Sequence, residues 1–171
     1  LSSSRALRDV TRAHGCTYTA AAVGEVNVTT EMKRTSAVIG GEGNGGVIYP
    51  ELHYGRDALV GVALCLTLLA KHGGKVSELR ETYPPYSIYK TKIELSPALD
   101  VDALLKAVKE RFAGEEVTDI DGVKIDFADS WVHLRKSNTE PIVRIYAEAH
   151  SMEEAEAKAG EIKAIISEML A

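Results

Sequence analysis

The chain has 171 residues, 45% of them hydrophobic and 26% charged, with a formal net charge of −5. This is the balance of a soluble globular protein, and its interspersed acids and bases argue against a nucleic-acid backbone or an anionic membrane as main partner. The length allows one large domain or two of about 80 residues, each with a thin core.

The N-terminus, Leu1-Ser2-Ser3-Ser4, has neither an initiator Met nor a signal-peptide pattern, and the chain reads as cut from something longer. Ser4 to His14 predicts a short helix, and Thr17–Val23, Ala37–Ile39 and Val47–Tyr49 predict strands, the last stopped by Pro50. Arg56 to His72 is a helix apolar nearly all round, too short to span a bilayer and therefore expected to be buried, with Cys65 as a small core residue. Gly73-Gly74 ends it, and a shorter helix follows from Val76 to about Thr82. Tyr83-Pro84-Pro85-Tyr86 then breaks regular structure and marks a boundary between domains at 1–83 and 88–171. Cys16 and Cys65 form neither a zinc spacing nor a disulfide framework, which points to a reducing cytoplasm.

The second half alternates more clearly. Tyr89, Thr91, Ile93 and Leu95 predict a strand, and Asp100 caps a helix carrying Val101, Leu104, Leu105, Val108 and Phe112 at helical spacing, closed by Gly114. Asp121-Gly122 predicts a two-residue hairpin turn joining Val117–Ile120 to Val123–Phe127. Strands Trp131–Arg135 and Ile142–Ala149 follow. Ser151 and Glu154 form a capping box for a last helix that buries Ala155, Ala159, Ile162, Ile166 and Met169. This order predicts an α+β domain whose mostly antiparallel sheet is covered by helices on one face.

Two loops could carry chemistry. Gly40-Gly41-Glu42-Gly43-Asn44-Gly45-Gly46 matches G-x-G-x-x-G, but a strand and a Pro follow it instead of a helix, so a dinucleotide site and a P-loop are both rejected. What remains is either a glycine-rich hairpin turn or a loop presenting Glu42 and Asn44 to sugar hydroxyls. Arg135-Lys136-Ser137-Asn138-Thr139-Glu140-Pro141 is either a polar turn or a phosphate site. In the second case a guanidinium supplies charge and short donors take the remaining oxygens. Asp119 and Asp121 resemble a metal pair without a third acid, the five histidines show no metal spacing, and no G-x-S-x-G nucleophile occurs.

Together these segments resemble the α-D-phosphohexomutases, the family of phosphomannomutase, phosphoglucomutase and phosphoglucosamine mutase. The stretch Asp121-Gly122-Val123-Lys124-Ile125, continued by Trp131 to Arg144, is similar to the fourth-domain signature of that family. Gly40–Pro50 with Gly55-Arg56-Asp57-Ala58 is similar to its third-domain sugar loop. The resemblance implies an α/β/α domain with a mixed sheet, lacking its first strand, followed by a small α+β domain. It implies that Glu42, Asn44 and Gly24 meet the sugar and that Arg135, Ser137, Asn138 and Thr139 bind its phosphate. Many members have Ser where Asn44 stands and His where Gly46 stands, so Glu42 is the firmest carry-over and the hexose stays unassigned. The family's phosphoserine segment, similar to Thr-Ala-Ser-His-Asn-Pro, and its Asp-x-Asp-x-Asp magnesium loop do not occur in these 171 residues. No catalytic residue and no metal ligand is therefore assigned here. The implied whole enzyme takes a phosphorylated hexose, uses Mg2+ and a hexose bisphosphate intermediate, and completes its cleft with amino-terminal domains. The alternatives are a non-catalytic phosphosugar-binding module and a fragment whose two loops are empty turns.

Overall fold

The computed structural model describes residues 1–94, 99–137 and 140–170. Leu95, Asn138 and Thr139 lie outside them. The chain divides into two units, Leu1–Pro85 and Tyr86–Ala171.

In the first unit Ser4 caps α1 (Arg5–Ala13), its hydroxyl accepting from the Ala6 N–H at 3.2 Å. A second helix, α2 (Glu25–Thr35), was not foreseen from the sequence. Strands β1 (Gly40–Gly41) and β2 (Val47–Ile48) pair antiparallel, and α3 (Ala58–His72) and α4 (Val76–Glu81) complete the unit. The predicted strand over 17–23 does not form. A strand exists through its ladder, and among the described residues the one ladder of this unit joins β1 to β2. The predicted strand at 37–39 starts later, at Gly40. Ser36 takes a left-handed C-cap (φ 54°) and the Ala37 N–H returns to the Met32 carbonyl at 3.0 Å, so residue 37 belongs to the helix exit.

The helix predicted over 56–72 forms over 58–72, with Asp57 as its N-cap. Asp57 accepts from the Val60 N–H at 3.0 Å and pairs with His53 Nε2 at 3.1 Å, and both bonds hold its carboxyl below the ordinary carboxylate range. Its predicted burial is overturned. No residue of α3 is buried, Leu59 is 82% exposed, and Cys65 is an exposed thiol, not a core residue. Apolar side chains all round supply surface to bury, but burial needs covering elements, and in this unit α3 meets chiefly β2 and α4.

The second unit begins with β3 (Ser87–Glu94) and α5 (Val101–Arg111). Four strands follow, β4 (Glu116–Thr118), β5 (Val123–Asp126), β6 (Trp131–Lys136) and β7 (Ile142–Ala149), and then α6 (Met152–Leu170). The sheet runs β3-β7-β6-β5-β4 with every pair antiparallel. Alternate residues, Val123 and Ile125, Val132 and Leu134, Val143, Ile145 and Ala147, point to one face. There they pack against Leu104, Leu105 and Val108 of α5 and Ala159, Ile162 and Ile166 of α6. Each fully buried aliphatic side chain contributes on the order of 2 kcal/mol, which makes this face the source of the unit's stability. Asp100 caps α5 through the Asp102 and Ala103 N–H groups, and Ser151 and Glu154 exchange the two bonds of a capping box. The mixed α/β fold class expected from the sequence is thus the observed one.

Two local expectations fail. Met169 is 37% exposed, because it lies a turn beyond Ile166, the last buried position of α6. The β4–β5 connection is also longer than a two-residue turn. A type I′ turn needs positive φ at two successive residues, and only Gly122 has it here (φ 75°). Asp119 is drawn instead into an ion pair with Lys109 of α5, and 119–122 form the connection. Among the described residues no helix is long and apolar enough to cross a membrane.

Candidate functional site

The glycine loop is the connection of the β1–β2 hairpin. Gly41 pairs with Val47, the Glu42 N–H donates to the Gly46 carbonyl at 3.0 Å, and the Gly45 N–H donates to the Glu42 carbonyl at 3.0 Å. Asn44 folds its Oδ1 onto the Gly46 N–H at 3.0 Å, bracing the tip. A side chain at Gly46 would bring its Cβ to 2.6 Å from Arg56 Cδ, so this loop has no room for the His found in many family members unless Arg56 moves. Arg56 occupies that space because Glu25 holds it, accepting from Arg56 Nε at 2.7 Å and from the Arg56 backbone N–H at 3.2 Å. Arg56 Nη1 also reaches to 3.8 Å from the Glu42 carboxylate. Gly24, at φ 120°, is the N-cap of α2 and sets the direction in which Glu25 leaves the chain. Glu42 is thus linked through Arg56 to Glu25, which follows Gly24, while Asn44 braces the hairpin tip; neither Glu25 nor Arg56 carried an assignment from the sequence. The arrangement offers one carboxylate acceptor and one amide at a hairpin tip.

The second loop leaves the end of β6. Trp131, His133 and Arg135 alternate with the core residues Val132 and Leu134 and so lie on the sheet face away from the helices. Trp131 Nε1 donates to Glu148 Oε1 at 2.7 Å on that face, under the Lys124 ammonium at 5.0 Å from the ring centroid. Arg135 Nε lies 2.9 Å from Asp121 Oδ2. The loop is closed by the Ser137 N–H donating to the Ile142 carbonyl at 3.0 Å, and Ser137 is buried. Asn138 and Thr139, the other two residues implied for phosphate, are outside the described residues. Directly across the β6–β7 pair from Arg135 stands Arg144, an exposed second guanidinium. Like charges opposite one another on a sheet repel, and an anion between them relieves the repulsion. Arg144 was inside the quoted signature but carried no assignment. Its register against Arg135 is what brings it to the site.

Asp119 and Asp121, weighed as a metal pair, go separate ways, one to Lys109 and the other to Arg135. Among the described residues no three His, Cys, Asp or Glu come together as a metal site, so this part of the chain offers nothing that fits the magnesium implied above.

His133 is 1% exposed, and its Nε2–H donates to the Asp121 carbonyl at 2.6 Å. Burial pushes its pKa down from 6.5 to about 4, against the opposing pull of that hydrogen bond. The unfolded chain therefore binds a proton that the folded chain refuses between pH 6.5 and 4. His133 costs stability as pH falls through that window, up to about 3 kcal/mol. Unfolding by urea from pH 7.5 to 4 is expected to show this loss, and His133→Gln should remove that part of it. Parallel pH curves for the two proteins would contradict it.

Comparison with known proteins agrees with both units. The sequence profile described as "Phosphoglucomutase/phosphomannomutase, alpha/beta/alpha domain III" matches residues 1–86, and "Phosphoglucomutase/phosphomannomutase, C-terminal domain" matches 91–165. The chain belongs to the phosphoglucomutase/phosphomannomutase family and corresponds to its domains III and IV. A phosphoglucomutase/phosphomannomutase of Thermococcus kodakarensis is 38% identical over 157 residues, which are 91% of this chain and 34% of that protein. A phosphoglucosamine/phosphogalactosamine mutase of Sulfurisphaera tokodaii is 40% identical over 146 residues, 84% of this chain and 32% of that protein. The crystal structure of a phosphoglucomutase/phosphomannomutase family protein from Burkholderia thailandensis aligns with a TM-score of 0.72 at 25% identity, covering 94% of this chain and 34% of that one. The chain thus spans about a third of the length of these relatives.

Proposed function

We propose that this chain is the sugar- and phosphate-binding part of a cytoplasmic phosphohexomutase that interconverts hexose 1-phosphates and hexose 6-phosphates. The observation that carries the reading is the β6–β7 end. A guanidinium with a carboxylate 2.9 Å from its Nε stands across the ladder from a second guanidinium, beside a loop tied shut at Ser137. A phosphate dianion is the ligand such a pair accepts, through charge and planar hydrogen-bond geometry. Ser137, Asn138 and Thr139 complete its donors in this reading. Glu42 and Asn44 supply hydroxyl partners, as a sugar requires.

In the whole enzyme a phosphoserine outside these 171 residues donates its phosphoryl group to the free hydroxyl of the sugar phosphate, giving a bisphosphate. After the sugar turns over, the other phosphoryl group returns to the serine. The residues described here serve that cycle by gripping the phosphate that is not reacting, which is catalysis by positioning and charge neutralisation. No step through magnesium is built on this chain. Glucose 6-phosphate titrated into the 171-residue chain is expected to shift the backbone amide signals of residues 135–144 in heteronuclear NMR. Glucose alone should leave them unmoved. With no phosphoserine present, neither glucose 1-phosphate nor glucose 6-phosphate should be converted. Equal responses to the two sugars, or turnover by the pure chain, would refute the proposal.

A further inference from the structure

We infer that the Asp121–Gly122 turn, tied down by His133, is a positioning device that presets the guanidinium of Arg135 for an anion. This deepens the reading of Arg135 as the phosphate-binding cation and rests on it. Three independent contacts join the turn at the start of β5 to the end of β6. The Asp121 carboxylate lies 2.9 Å from Arg135 Nε, with both side chains about a quarter exposed or less. The Asp121 carbonyl accepts from Nε2 of the buried His133 at 2.6 Å, so the residue that holds the arginine is itself held from the same strand. Gly122 is pressed against the backbone of Leu134 and Arg135. Any Cβ there would overlap the Leu134 carbonyl oxygen and come within 3.2 Å of Arg135 Cα.

These contacts divide the work between two groups. The His133 Nε2–H fixes where the Asp121 backbone sits, and the carboxylate then holds the guanidinium by charge on its Nε side. With the Asp121 carboxylate 2.9 Å from Nε, that side of the guanidinium is occupied by charge and the opposite edge of the planar fork is the one presented to an incoming oxyanion. An arginine free to rotate would lose that freedom on binding, and one already oriented does not. A partly solvated ion pair contributes little to folding, so the pair's value lies in orientation.

The test uses the whole 171-residue chain, with glucose 6-phosphate as probe and the Arg135 Nε–H signal in nitrogen-15 NMR as a second readout. Asp121→Asn keeps the shape of the side chain and is expected to weaken binding about tenfold while moving the Nε–H signal to the position of a solvated arginine. His133→Leu removes the donor and should weaken binding in the same direction. His133→Gln can donate again and should recover most of the affinity. Variants that are folded by circular dichroism and bind as tightly as the parent, with the Nε–H signal unmoved, would overturn the positioning role and leave the phosphate reading standing. No binding by the parent chain would overturn both.

Discussion

Arg135→Ala is expected to weaken binding of glucose 6-phosphate to the chain by about ten- to a hundredfold, the worth of a charge-assisted pair of hydrogen bonds of about 1.5–3 kcal/mol. The guanidinium is the central cation of the β6–β7 end, and its loss leaves Arg144 across the ladder as a lone charge without the partnered fork. Arg135→Lys should recover only part of the affinity, since an ammonium keeps the charge and loses the planar geometry. Folding should change by about 1 kcal/mol or less, because the pair with Asp121 is partly solvated. Titration of the three proteins with glucose 6-phosphate, alongside urea unfolding, separates the effects. Wild-type affinity in a folded Arg135→Ala chain would make the loop a simple turn.

Gly122→Ala carries the largest expected loss of stability, about 3 kcal/mol. At φ 75° an L residue is strained by about 1–2 kcal/mol, and the added methyl group meets the Leu134 carbonyl oxygen, which cannot yield without moving β6. Gly114→Ala is the control. Nothing lies within 4 Å of a Cβ there and its φ is not positive, so its stability should stay within about 0.5 kcal/mol of the parent. Urea midpoints that coincide for the two alanine variants would show that the turn is not pressed on the strand as described.

The second unit was legible because its signals are local and redundant. Asp100 and the Ser151–Glu154 box mark helix starts, and strict alternation in β6 and β7 marks the buried face. In the first unit the same signals are weak or misleading. α2 carries five β-branched residues (Val26, Val28, Thr29, Thr30 and Thr35) and only Met32 is buried, so it shows no apolar stripe. Its polar ends, Glu25 in the first turn and Lys33 and Arg34 in the last, were the available hint. For the candidate site, Arg135 and Ser137 stand in one short string and could be named from it. Asp121 and Arg144 reach Arg135 only through strand register, and Asp121 had been weighed as a turn residue and a metal ligand. Pairing across a sheet is information that no local spacing carries.

The bare leucines of α3 bear on how firmly each loop is held. A side chain that stays largely in water adds little to the free-energy difference between folded and opened states, and α3 has no fully buried residue. The hairpin carrying Glu42 is four paired residues long and leans on that helix, whereas β6 and β7 sit in the middle of five strands over a closed core. Ile48 is the one fully buried side chain of that hairpin, so local opening costs less around Glu42 than around Arg135. In the proposed reading the end that takes the phosphate is the more rigid anchor and the end that meets the sugar the more compliant one.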